Sequence, residues 1–366
     1  MCPNFFLPSA VQDGHNSAMH YQSSLPRRQI LLAALLFALG AAGSAQAAGK
    51  GFTVEKSPTG ATVQFDGQPF AEYVITEANK PYLFPVYGPT GKPMTRAFPM
   101  QKVKAEEDAK YLDHYHHRGI VFGHQDINGF DSWMERGSAV GATPDDQLNE
   151  KQKAALAKAM TKLGFIKHLG FKELKGDANH AVIVTENVYE NAKGEKSVTE
   201  IRTLTFRVEG DTRLIDWDQE FIAKNGEVNF GDAKDAGLSI RVPHTMAVDS
   251  KKGGHIVTST GITDKEAWSK RAPWVDYSGP VDGETLGVAM LNHPSSFRHP
   301  TSWHVRTYGL FTANCFGTLD KADPNGPHTL KPGEKLLLRH RFVFHKGDEK
   351  AANIAAAYER YAKEKK

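Results

Sequence analysis

Histidine changes charge near neutral pH and is the commonest imidazole donor to transition metals. This chain gathers it in two places. The first is Asp113-His114-Tyr115-His116-His117-Arg118-Gly119, running on through Ile120-Val121-Phe122-Gly123-His124. Read as an extended strand, the run puts His114, His116, Arg118 and His124 on one face and turns His117 to the other, because side chains alternate. His114, His116 and His124 are then candidate ligands for a divalent metal ion. With Asp113 and Arg118, the same cluster equally suits a polyhydroxy or anionic ligand, or acid–base work. A hydrogen-bonded turn without a ligand is the third reading. The second place is Asn292-His293-Pro294-Ser295-Ser296-Phe297-Arg298-His299-Pro300, then Trp303-His304-Val305-Arg306. Its prolines stiffen a loop that feeds a strand with His304 and Arg306 on one side and Trp303 and Val305 toward the core.

Three further segments carry chemistry. In Asp126-Ile127-Asn128-Gly129-Phe130-Asp131-Ser132-Trp133, Asn128-Gly129 makes a turn, and Asp131 and Trp133 share a face of the following segment. A carboxylate beside an indole can hold a sugar, or it can be plain core packing with a capped turn. Arg241 and His244 add a polar element at a strand end, and Asp216, Asp218 and Glu220 read as a solvated strand face. No nucleophile elbow, phosphate-binding loop, dinucleotide fingerprint or H-E-x-x-H pattern is present. Cys315 has no basic neighbours in sequence, which favours a core thiol over a nucleophile.

The elements that must position these groups read as many short strands. Phe52–Lys56, Ala61–Phe65 and Phe70–Thr76 are separated by Ser57-Pro58-Thr59-Gly60 and Asp66-Gly67. The pattern returns at His180–Tyr189, Val198–Val208, Leu214–Ala223, Val228–Phe230, Leu238–Val242, Thr285–Leu291, Trp303–Phe311 and Lys335–His345. Two helices are expected, one inserted over Leu148 to Leu163 and one C-terminal over Asp348 to Lys363. The fold class is therefore mainly β, a large antiparallel sandwich formed by residues 48–366 as one domain.

The motifs 113–119, 128–133, Gly231-Asp232-Ala233-Lys234-Asp235-Ala236-Gly237-Leu238-Ser239-Ile240-Arg241-Val242, and His293-Pro294 to Trp303-His304-Val305-Arg306-Thr307-Tyr308-Gly309 occur in one order over about Lys80 to Gly317. In these the chain resembles a bacterial secreted group labelled "PmoA family" or "methane oxygenase PmoA". The resemblance implies a large β-sandwich similar to galactose-mutarotase-like supersandwiches, and its label suggests a copper- or iron-dependent oxidoreductase.

The N-terminal segment addresses compartment. Arg27 and Arg28, an apolar run from Ile30 to Ala42 and then Ser44-Ala45-Gln46-Ala47 have the order of a secretory signal cleaved after Ala47. The run is too short for a bilayer span, which needs roughly 20 residues. The paired arginines leave twin-arginine export open, and Met19 is an alternative start. Residues 1–47 are thus expected to be removed, and the mature protein to be periplasmic or secreted with no stable membrane span. Cys315 would then be its only cysteine, so no internal disulfide is expected. The net charge of +3 is small and forms no long run, which argues against a nucleic-acid partner.

The expected function is a carbohydrate-active enzyme of the lyase, hydrolase or epimerase kind. His116, His117 and His304 are its acid–base or metal-ligand candidates, and Arg118, Asn128, Asp131, Trp133, Arg241, His244, His293 and Arg306 its substrate contacts. The alternatives are the metal-dependent oxidoreductase and a non-catalytic sugar-binding module. The composite site of the carbohydrate-active enzyme requires the two histidine windows to lie within roughly 15 Å, the scale of one small-ligand cleft.

Overall fold

The computed structural model describes residues 50–104 and 112–365; the leader read over residues 1–47 lies outside them. Two eight-stranded antiparallel sheets face one another. The first runs in the order β1 (Phe52–Lys56), β2 (Gly60–Phe65), β3 (Gln68–Val74), β4 (Tyr82–Val86), β5 (Ile120–His124), β11 (Ala236–Arg241), β16 (Leu310–Asn314), β15 (Ser302–Val305). The second runs β12 (His255–Thr258), β13 (Trp274–Val281), β14 (Glu284–Asn292), β18 (Lys335–Lys346), β9 (Thr212–Ile222), β8 (Lys196–Glu209), β7 (His180–Asn191), β6 (Gly164–Gly176). A short pair, β10 (Val228–Phe230) with β17 (His328–Leu330), stands apart from both. The sandwich expected from the strand pattern is what forms.

Period-two alternation sorts each strand into a core face and an outer face. Ile120 and Phe122 of β5, Leu238 and Ile240 of β11, Phe311 and Ala313 of β16, and Trp303 and Val305 of β15 enter one core. They meet Leu204, Trp217, Val288 and Phe342 of the opposite sheet there. Burying this apolar surface is the main drive for the packing, at roughly 25 cal/mol per Å². The core also holds an ion pair: Arg202 bonds Glu200 through Nε at 2.7 Å and Nη2 at 2.9 Å, and Gln219 and Tyr189 complete the carboxylate. A buried pair survives only when its remaining lone pairs are satisfied in this way.

The inserted helix forms as α2 (Glu150–Met160), preceded by a short α1 (Arg136–Val140) that the sequence pattern did not show; the C-terminal helix is α3 (Ile354–Tyr361). Asn149 caps α2 by accepting from the Gln152 N–H at 2.9 Å, which fixes its start later than the composition suggested. No helix among the described residues is long and apolar enough to cross a membrane.

Two departures from the sequence reading matter for the site. Residues 113–118 are a turn, not a strand: His114 adopts a left-handed φ of 51° and the His117 N–H bonds the His114 carbonyl at 3.0 Å. Strict alternation therefore starts only at Ile120, and His117 is not turned away from His116. Trp303–Phe311 is likewise two strands, β15 and β16, joined by a hairpin closed by Arg306 N–H to Leu310 O at 2.7 Å and Gly309 N–H to Arg306 O at 3.0 Å. Gly309, with φ 103°, permits this reversal, which puts Tyr308 at the hairpin tip.

Candidate functional site

The outer face of the first sheet is the platform. Register aligns Val121, Ser239, Thr312 and His304 in one row across β5, β11, β16 and β15. At ~4.8 Å per strand, His304 stands roughly 10 Å from Ser239. Arg241 follows Ser239 on the same face, and its N–H bonds the Gly119 carbonyl at 2.9 Å, tying β11 to the histidine turn. Gly119 is needed there: with φ 44°, any Cβ would collide with the Leu83 carbonyl oxygen.

On this platform the imidazoles interlock. The His114 ring stacks on His117 at 4.6 Å and on Tyr308 at 5.4 Å, and His116 meets His117 edge-on at 4.4 Å. Trp133 lies behind, 6.1 Å from His116 and 5.9 Å from His117. Arg241 sits over the Tyr308 ring at 4.7 Å and Arg306 at 5.6 Å. The Arg306 end of the second window therefore reaches the first through Tyr308, whereas His293 and His299 pack against Tyr361 and Tyr358 of α3.

Hydrogen bonds fix the tautomers, and the tautomers fix what each ring offers. Guanidinium only donates, so the 3.3 Å contact from Arg241 Nη1 makes His117 Nδ1 an acceptor and leaves the ring proton on Nε2. A carbonyl only accepts, so His304 donates Nδ1–H to Lys234 O at 3.0 Å and keeps a lone pair on Nε2. His116 Nδ1 lies 2.9 Å from the Ser138 hydroxyl. None of the three Nε2 atoms bonds anything among the described residues. All three rings are neutral at neutral pH. Burial first, then the nearby cations, pushes His116 down to about 2; burial holds His117 well below its ordinary value. Burial lowers His304 to about 4 against the opposing pull of Asp235.

Asp113 organises the cations. Burial raises its pKa, but the His114 hydrogen bond and the charges of Arg241 and Arg96 outweigh that and hold it well below the usual carboxylate range. It accepts from Arg96 Nη1 at 2.8 Å and from Arg241 Nη2 at 3.3 Å. Burial and Arg96 bring Arg241 down to about 9. A cavity of about 460 Å³ borders Asp113, Arg241, His244 and Tyr308, with Ser250 and Lys251 on its far wall. A larger one, about 660 Å³, lies beyond Tyr115 against α1 and α2. Neither is lined by His116, His117 or His304, but the smaller one is walled by Arg241 and Tyr308, which touch His117 and His114. Its walls' contact with the imidazole cluster, not its volume, makes the smaller one the candidate site.

Several expected site residues are placed elsewhere or otherwise engaged. His124 faces the inter-sheet core between Phe230 and Phe316; its Nδ1 accepts the Asp126 N–H and its Nε2 is sealed from solvent. It ends β5 roughly 13 Å from the strand's start, at ~3.3 Å per residue, so the His114/His116/His124 trio does not share one ion. Among the described residues no group of three or more His, Cys, Asp or Glu is arranged to hold a metal. Arg118 forms a two-pronged ion pair with Glu135 at 2.8 and 3.0 Å in the larger cavity. Asn128 ties its turn to Ser197, Glu227 and Asn229. Asp131 accepts the N–H groups of Trp133 and Met134 at 2.8 and 2.9 Å, so it shapes the turn. Trp133 is only 3% exposed and backs the imidazoles instead of presenting a sugar platform. His293 packs on Tyr361 of α3, away from the cluster.

Tyr308, Asp235, Arg96 and Lys80 were not singled out from sequence. Lys80, 2% exposed, gives its ammonium to the Trp133 and Met134 carbonyls at 2.7 and 3.3 Å and to Asn79 Oδ1 at 3.0 Å. Burial lowers it to about 8. Tyr308 had a signal, its position two beyond Arg306 in a motif-bearing string; Lys80 had none.

Among solved structures, a galactose mutarotase related enzyme from Lactobacillus acidophilus matches at 10% identity and a TM-score of 0.26, over 50% of this chain and 71% of that one. The GH36 alpha-galactosidase AgaA from Geobacillus stearothermophilus matches at 14% and 0.25, over 46% of this chain and 24% of that one. The galactosidase domain of alpha-galactosidase-sucrose kinase, AgaSK, matches at 9% and 0.26, over 51% of this chain and 28% of that one. These likenesses are too slight to carry a function across. No curated protein matches. The PmoA label finds no counterpart, but a family model matches residues 60–359: the chain belongs to the family described as a family of unknown function, DUF6807.

Proposed function

We propose that the protein is a periplasmic carbohydrate-active enzyme, of the lyase, hydrolase or epimerase kind, with His304 as its base. The observation that carries this reading is a pair of opposite tautomers, His304 on the outer face of the first sheet and His117 in the turn that leads into β5. His304 is held with Nδ1–H on the Lys234 carbonyl, so Nε2 is ready to take a proton at neutral pH. His117 is held the other way, so its Nε2–H can donate to an oxygen on which negative charge develops. A neutral imidazole performs that electrophilic role well because it donates without losing its proton. His116 adds a second neutral ring, and Arg241 and Arg306 supply donors for substrate oxygens.

A panel of mono- and disaccharides in D₂O, followed by proton NMR, tests this. The expected result is turnover or carbon-bound deuterium exchange on some sugar, lost in both His304→Gln and His117→Gln. Turnover that survives both substitutions would sink the acid–base assignment. A non-catalytic binding module fits less well, since the indole nearest the cluster is buried. The oxidoreductase alternative has its own test: one equivalent of copper or iron in purified protein, lost on His116→Ala, would replace the acid–base reading.

A further inference from the structure

We infer that the ligand of this cleft is a sugar acid, whose carboxylate lies between Arg241 and Arg306 beside the Tyr308 ring. The inference rests on the carbohydrate reading above and names the substrate class within it. Its starting point is how incompletely these two guanidiniums are matched inside the protein. Arg241 is 5% exposed, yet its one carboxylate contact is the 3.3 Å approach to Asp113. That carboxylate lies closer to Arg96, at 2.8 Å. Arg241 Nη1 faces the neutral His117, and its Nε is buried with no hydrogen-bond partner. A buried guanidinium with an orphaned N–H is costly, because desolvation is not recovered.

Arg306 makes the point independently. Its guanidinium lies over the Tyr308 ring at 5.6 Å and has no ion pair or hydrogen bond among the described residues. The two cations thus share one aromatic ring, Arg241 at 4.7 Å, and no carboxylate among the described residues bridges them. Arginine's fixed fork matches a planar carboxylate bidentately, and an arriving anion would meet both charges. The cavity of about 460 Å³, lined by Arg241 and Tyr308 on the side of that contact and also by Asp249, accommodates a monosaccharide ring. On its wall Ser250 and Lys251 offer donors for the remaining oxygens. Asp113 and Asp235 border the same cluster, so a ligand must offer hydroxyls as well as charge, as a sugar acid does.

Isothermal titration of the purified protein with D-glucuronate and D-galacturonate tests the inference, with D-glucose, D-galactose and glucose 6-phosphate in parallel at fixed ionic strength. The expected result is that a uronate binds at least about tenfold tighter than its neutral counterpart, the scale of one charge-assisted contact. Arg241→Gln and, separately, Arg306→Gln should each remove most of that preference. Arg306→Gln serves where Arg241→Gln fails to fold, since the Arg306 guanidinium carries no hydrogen bond to lose. Neutral sugars binding as tightly as uronates would overturn the sugar-acid inference and leave the carbohydrate reading standing. Tighter binding of the sugar phosphate than of either uronate would overturn the carboxylate assignment. No binding by any of these sugars would overturn both.

Discussion

Two histidine clusters of this sandwich look alike in sequence and differ in one physical respect. In the cluster of His116, His117 and His304, each ring spends Nδ1 on the protein and leaves Nε2 unbonded. In the cluster beneath α3, His293 and His299 have both ring nitrogens engaged, while His340 keeps Nδ1 buried without a partner. His293 accepts the Ser295 N–H at Nδ1 and donates Nε2–H to the Glu364 carbonyl at 3.1 Å. His299 bonds Asn292 through Nδ1 and approaches the Tyr358 hydroxyl through Nε2, and His340 Nε2 reaches the Asn292 amide. Arg339 and Arg341 hold Asp218 and Asp216 in the same layer. These two acids, expected on a solvated face, are mostly covered. The second cluster clasps α3 and the segment that follows it, and the first is the proposed site. Density of imidazoles does not separate the two; three unbonded Nε2 atoms in the first, against one sealed Nδ1 in the second, do.

The largest expected effect that would break this contrast is catalytic. His304→Gln or His117→Gln should lower turnover by about 10²–10⁴-fold, the usual worth of a positioned acid or base, with little change in unfolding midpoint. His293→Ala should do the reverse: kcat unchanged, and roughly 1–3 kcal/mol of stability lost, because the Glu364 carbonyl and Ser295 N–H lose their partner. Urea melts and turnover on the same samples read both. Equal kinetic losses in the two clusters would erase the distinction.

Acid sharpens it. His116, His124, His304 and His340 have folded pKa values of about 2, 3, 4 and 3, all depressed chiefly by burial. Below pH 6.5 the unfolded chain binds protons that these rings refuse. Their contribution is therefore complete above that pH and falls as pH drops through the window, by about 1.4 kcal/mol per ring per unit. His345, raised by Asp276 against its burial, works in the opposite sense. The expected outcome is a marked fall in urea midpoint between pH 6.5 and 4, while kcat at pH 5 holds because His304 stays unprotonated to about 4. A midpoint flat across this range would contradict the neutral, buried rings. The smallest effect belongs to the rim of the clasp. Glu364→Gln, which weakens a half-exposed pair with Arg341 at 2.7 Å, should cost at most about 1 kcal/mol and leave activity untouched.

Much of the scaffold was legible because alternation is local. Phe52–Lys56 and Val228–Phe230 form at their expected bounds, and both anticipated helices are present. The strands β4, β6, β12, β13 and β17 escaped notice: β4 and β13 are buried on both faces for most of their length, β6 breaks its alternation at two register shifts against β7, and β12 and β17 are only four and three residues long. The site was legible as a set of residue types, and misread in its geometry. A left-handed His114 and the Arg306–Gly309 reversal each break a run that reads as one strand. They bring His117 and Tyr308 together where strict alternation would have kept them apart.

The sequence by itself determined the sandwich, because burying one face of each strand requires only a period of two along the chain. It also determined that His114, His116, His117 and His304 are available, since the first three lie within four residues and the fourth sits on an outward strand position. The tertiary structure alone decided their fate. Whether an imidazole nitrogen is spent depends on carbonyls and guanidiniums far along the chain, Lys234 for His304, Arg241 for His117 and Glu364 for His293. Those partners arrive only when the sheets close and α3 docks, so no local pattern records them.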